Sequence, residues 1–103
     1  MRFYDFITAG LLTAACAGAM AADASVHAGQ RLAASCANCH GSNGVSAGGP
    51  VPGLAGQPKE LIQASMRAFK DGSRSSTIMQ QLAKGYTDEQ IEVIAAYFAA
   101  QKK

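Results

Sequence analysis

The chain has 103 residues with a formal net charge of +2; 49% are apolar, 16% charged and 7% aromatic, and there is no Trp. That length bounds it to one small domain, and the apolar share excludes a disordered chain. Three Cys are too few for a disulfide-dense scaffold, and no Lys/Arg run points to nucleic acid. Ala and Gly supply much of the apolar bulk, and loss of a leader would leave about 80 residues, a size at which a core of side chains alone is marginal. Something else is expected to fill the centre.

Residues 1–21 read as a signal peptide and 22–103 as the mature domain. Arg2 precedes an uncharged run from Phe6 to Ala22, with Ile7, Leu11 and Leu12 at its apolar centre. Ala19-Met20-Ala21 then offers the small-x-small pattern that signal peptidase cuts after. Asp5 weakens the positive flank. Two other fates stay open: an uncleaved anchor at the lower length limit for a membrane span, and a lipid on Cys16, although Thr13-Ala14-Ala15 lacks the usual aliphatic residue. Cleaved export implies the bacterial periplasm, with no membrane contact afterwards, and leaves Cys36 and Cys39 as the remaining cysteines.

A first helix is expected over Ser25 to Cys36, with Ser25 as its cap and Val26, Leu32, Ala33 and Cys36 at helical spacing. Gly29 is costly inside a helix, which points to close approach of another element. From Gly41 to Gly56, six Gly together with Pro50 and Pro52 exclude a helix or a central strand. A loop that long inside a compact domain is usually functional or disordered. Pro58 suits the first position of a second helix running to about Lys70, with Leu61, Ile62, Ser65, Met66 and Phe69 as its inner stripe and Gly72 as its end. A short third helix is expected over Thr77 to Lys84, closed by Gly85. The last helix has the clearest start: Thr87-Asp88-Glu89-Gln90 is a capping box, with Tyr86 and Ile91 placed as a hydrophobic staple. Ile91, Ile94, Ala95 and Phe98 form its buried face, and Lys102-Lys103 favour its C-terminal end. No alternating β-branched run occurs, so the fold class is all-α.

The chemistry concentrates at Cys36-Ala37-Asn38-Cys39-His40. Cys-x-x-Cys-His is the attachment site of c-type haem: two thiols three positions apart add to two vinyl groups, and the adjacent His reaches the iron. A dithiol redox centre would need a thioredoxin-like βαβ frame, which is missing here. A structural zinc site needs four ligands, and only Cys36, Cys39, His40 and the distant His27 are on offer. A plain disulfide would leave His40 and the long loop unexplained.

The iron's second axial position can be filled by Met, by His or by nothing. His27 lies nine residues before Cys36, roughly 13 Å along the helix, and reads as a surface residue. Met66 belongs to a helical stripe, where Met is ordinarily a core filler. Met79 sits among Ser75-Ser76-Thr77 and Gln80-Gln81 at the entrance of a short helix, where a segment folding over the distal haem face is expected. Met79 is the better candidate.

Cys36 to Gly41, the Pro52-Gly53-Leu54-Ala55-Gly56-Gln57 stretch and Met79 resemble a bacterial class I cytochrome c. Ser76-Thr77-Ile78-Met79 followed by Lys84-Gly85-Tyr86-Thr87-Asp88-Glu89 is similar to the cytochrome subunit of flavocytochrome c sulfide dehydrogenase. The likeness runs from about Ala28 to Phe98. It implies a class I cytochrome c fold, about four helices around one covalent haem c, with thioethers at Cys36 and Cys39 and axial ligands His40 and Met79. It also implies that the Pro52 carbonyl orients His40, and that Gly29 meets Tyr97 or Phe98 where the first and last helices cross. Some such proteins carry two haem lobes; this chain has one motif.

The expected function is one-electron transfer without catalysis, as the haem subunit of a hetero-oligomer with a sulfide-oxidising flavoprotein. The alternatives are a free-standing carrier serving a respiratory oxidase or another reductase, and an open-site haem protein with a labile Met79. Lys59, Lys70, Arg74 and Lys84 are candidate docking charges, or simply a solvated surface.

Overall fold

The computed structural model describes residues 23–103; the expected signal peptide, and with it Cys16, lies outside the described residues. The regular structure of the described chain is helical, without strands. Residues 23–33 form α1, which tightens into a 3₁₀ turn at Ala34–Cys36 and continues as α2 (Ala37–His40). A second 3₁₀ turn, Ser42–Gly44, opens the glycine-rich loop; α3 (Lys59–Asp71), α4 (Met79–Lys84) and α5 (Asp88–Ala99) follow.

The boundaries depart from expectation in three places, each for a local reason. Residues 23 and 24 are already helical, so Ser25 is inside α1 rather than its cap; Ala24 is a strong helix former and favours the earlier turn. Pro58 has φ −56° and ψ 134°, outside the helical region, and stands just before α3 while its carbonyl accepts from Leu61 and Ile62. The third helix begins at Met79 rather than Thr77, because the Ser76 hydroxyl takes the Gln80 amide at 2.9 Å and holds residues 77–78 outside the helix.

Burial follows the apolar pattern on α5 and corrects it elsewhere. Ile91, Ile94, Ala95 and Phe98 are all buried, and with Ala33, Ile62, Met66 and Ala83 they make the core. The capping box of α5 is present in both directions: the Gln90 amide donates to Thr87 Oγ1 (3.1 Å) and the Thr87 amide to Gln90 Oε1 (2.9 Å). Leu61, expected inside, is 52% exposed, and Val26 is 58% exposed. On α3 the buried line is Ile62, Met66 and half-buried Phe69, at i, i+4 and i+7; Leu61 lies about 100° round from Ile62, on the flank.

Two ion pairs bracket the α3–α5 contact: Lys59 to Glu92 at 3.0 Å and Lys70 to Asp88 at 3.2 Å. Both are partly solvated and contribute little stability. The α1–α5 crossing is tighter. A Cβ at Gly29 would stand 2.9 Å from Tyr97 Cβ and 3.0 Å from the Val93 carbonyl oxygen, so glycine is there for contact with Tyr97 and Val93. Neither obstacle is a flexible side-chain end. Gly29→Ala is therefore expected to push the helices apart and cost about 1–3 kcal/mol, read as a lower urea midpoint; an unchanged midpoint would contradict the crossing.

Candidate functional site

Cys36, Cys39 and His40 lie on one continuous run of tight helix, from the end of the first 3₁₀ turn through α2. Cys36 is half-buried against the core and Cys39 is exposed; both are free thiols. Burial pushes the Cys36 thiol above its ordinary range, and Cys39 adds to the rise, outweighing the hydrogen bonds that act the other way. Cys36 and Cys39 are not joined in a disulfide, and among the described residues no three His, Cys, Asp or Glu side chains converge. His27 is exposed, at the outer end of α1.

The backbone turns sharply after His40. Gly41 has φ 86° and ψ 160°, and a Cβ there would fall 1.9 Å from the Val45 carbonyl oxygen. That turn folds the loop back under the imidazole. The His40 Nδ1–H donates to the Pro52 carbonyl oxygen at 2.7 Å, so in the neutral ring Nε2 keeps its lone pair and is the nitrogen able to bind a metal.

The loop that brings Pro52 is ordered by hydrogen bonds. Leu54 and Ala55 amides both donate to the Gly44 carbonyl (2.8 and 3.1 Å), and Gly56 donates to Phe98 at the end of α5 (2.9 Å). Within it the Ser46 hydroxyl donates to Val51 at 3.0 Å, and the Gln57 side-chain amide reaches Gly53. Two tyrosines tie the haem-motif segment to its surroundings: Ser35 Oγ lies 3.1 Å from Tyr86 Oη, and Tyr97 donates to Asn43 Oδ1 at 2.6 Å. The sequence pattern does not mark these ties. Only Asn43 carries a sequence signal, as the Asn of a Ser-Asn-Gly turn that tolerates its positive φ of 54°.

Met79 opens α4, half-buried, and packs against the same core as Cys36, Leu54, Phe69 and Tyr86. Met66 is buried in that core as a filler. Of the four candidate docking cations, Lys59 and Lys70 are paired with acids and Arg74 lies over the Phe69 ring.

These residues fit a haem. A covalent porphyrin needs adjacent thiols, an oriented imidazole and apolar walls. Val45, Leu61, Ile78 and Leu82 are large apolar side chains left about half exposed on the loop, α3 and the approach to and body of α4. Ile91 and Phe98 are the largest fully buried side chains, a small core for such a chain.

The chain belongs to the cytochrome c family, whose profile, described as Cytochrome c, matches residues 26–102. It is a c-type cytochrome with one covalent haem c, an electron carrier rather than a catalyst in its own right. It is 45% identical over 75 residues to the cytochrome subunit of sulfide dehydrogenase from Chlorobaculum tepidum, covering 73% of this chain and 67% of that one. It is 40% identical over 92 residues to cytochrome c4 of Pseudomonas aeruginosa, covering 89% of this chain but 46% of the relative. The solved structure of Acidithiobacillus ferrooxidans cytochrome c4 aligns with TM-score 0.60 and 42% identity, over 63% of this chain and 37% of that one. Against the cytochromes c4, then, the chain spans under half the relative's length.

A variant with both Cys36→Ser and Cys39→Ser, made where c-type haem is matured, is expected to emerge colourless and largely unfolded, since the core is small. Far-UV circular dichroism checks this; native helicity in the variant would contradict it.

Proposed function

We propose that the chain is a periplasmic one-electron carrier in which Cys36 and Cys39 hold the haem by thioethers and His40 Nε2 and Met79 Sδ are the axial ligands. The observation that carries this reading is the bond from His40 Nδ1–H to Pro52, beside two free thiols in Cys-x-x-Cys spacing. The haem supplies a reversible one-electron couple at iron. His40, held by Pro52 through Nδ1, would offer the Nε2 lone pair to the iron with its ring in one orientation. Met79 offers a soft thioether that favours the reduced metal and raises the potential relative to a second imidazole. With both axial positions taken by side chains, the protein would neither bind oxygen nor activate peroxide. The half-exposed Val45, Leu61, Ile78 and Leu82 would exclude water from the ring and limit solvent reorganisation.

Similarity to a sulfide dehydrogenase subunit supports a flavoprotein that oxidises sulfide as the electron donor, with this chain as its haem subunit. Similarity to a protein described as a thiosulfate dehydrogenase electron acceptor, 37% identical over 97 residues, favours the second reading, a carrier that serves another redox protein. Charge does not select the surface: with Lys59, Lys70 and Arg74 engaged, a net charge of +2 gives weak steering. Residues 1–21 are proposed as the export signal; among the described residues no helix is long and apolar enough to cross a membrane.

Met79→Ala is expected to abolish the weak far-red band of Met-ligated ferric haem, whereas a wild-type spectrum would refute the ligand assignment. Native purification separates the two partner readings. A flavin-containing polypeptide in fixed proportion to haem supports the subunit, and a haem protein that elutes alone supports the free carrier.

A further inference from the structure

The segment between α3 and α4 has one cation that the proposed electron-transfer function does not use. Residues 72–78 leave α3 after Gly72, and α4 is six residues long, too short to hold its own position. Its place depends on what fastens it. Arg74 does so through three separate groups. Its amide donates to the Ala68 carbonyl at 3.0 Å, its Nη1 donates to Ser65 Oγ at 3.1 Å, and its guanidinium carbon lies 4.7 Å from the centre of the Phe69 ring. All three partners are on α3. The Arg74 carbonyl in turn accepts from Gln80 Nε2 at 3.2 Å, in the first turn of α4 beside Met79. Phe69 and Met79 pack on the same core. A chain of contacts therefore runs from Ser65 and Phe69 through Arg74 to Gln80.

We propose that Arg74 is a positioning residue for Met79, clamping the 72–78 segment to α3 so that the Met79 sulfur stays on the iron against competing ligands. This rests on Met79 being the axial ligand. Guanidinium chemistry suits the task, because one planar group stacks on an aromatic face while its edge donates to a hydroxyl. A lysine could lie over Phe69 without the fork.

The test is imidazole titration of the ferric, haem-loaded protein, followed by loss of the far-red band. Arg74→Ala is expected to lower the half-saturating imidazole concentration about ten-fold, the scale of one hydrogen bond plus one cation–π contact. Ser65→Ala, which removes only the hydrogen bond, is expected to shift it about three-fold in the same direction. Arg74→Lys should restore part of the loss. Wild-type imidazole affinity in Arg74→Ala overturns the proposal, as does a lower urea midpoint without any change in imidazole affinity. If Arg74→Ala does not fold, the Ser65→Ala titration decides, and an unchanged affinity there overturns it. Met79→Ala separates the two levels. If that variant keeps the far-red band, the ligand assignment fails and takes this inference with it. If it loses the band while Arg74→Ala titrates as wild type, Arg74 alone is misassigned.

Discussion

The hydrogen bond from His40 Nδ1–H to the Pro52 carbonyl is the constraint on which the rest of the arrangement depends. It selects one tautomer of the imidazole, and so decides which nitrogen is presented to a metal. It also explains the long glycine-rich loop. Pro52 must return to a residue only twelve positions earlier, and Gly41 makes the reversal that permits it. Gly44 then receives Leu54 and Ala55, which joins the two arms of the loop, and Phe98 receives Gly56, which fixes the far arm to α5. A loop of this length is ordered by its backbone rather than by apolar side chains.

The helical frame serves the same end. Gly29 lets α1, which runs on into the turn that carries Cys36, lie directly on Tyr97 and Val93. Tyr97 continues the tie to Asn43 beyond His40, while Tyr86 meets Ser35 before Cys36. The haem-motif segment is thus held on either side by hydroxyl groups from α5 and its approach. On the other side of the core, α3 and α5 pack through Ile62, Met66, Ile91 and Ile94. The α3–α4 segment, in contrast, depends on polar and stacking contacts at Arg74 and Ser76.

What the sequence makes legible follows from how local each signal is. The α5 start is written in four consecutive residues from Thr87, and its buried face in the spacing of Ile91, Ile94, Ala95 and Phe98; both stand in the structure. The spacing Cys36, Cys39, His40 marks the proposed haem site for the same reason. Val26 is misplaced by the pattern because an amphipathic stripe has an edge, and periodicity cannot tell which flank a neighbour covers. The start of α4 is blurred because six residues carry less than two turns of periodicity. Arg74 reads as one more solvated charge until Phe69 and Ser65 are seen beside it, since both lie in a different element.

The central claim is that a porphyrin bonded to Cys36 and Cys39 completes the interior that a small set of side chains begins. Its most direct test is the intact mass of protein exported by a host that matures c-type haem, followed by proteolysis. The account predicts a mass greater than the bare polypeptide by one haem, with the whole increment on the peptide that carries Cys36 to His40. A mass equal to the polypeptide, or haem lost on denaturation in acid solvent, would contradict it.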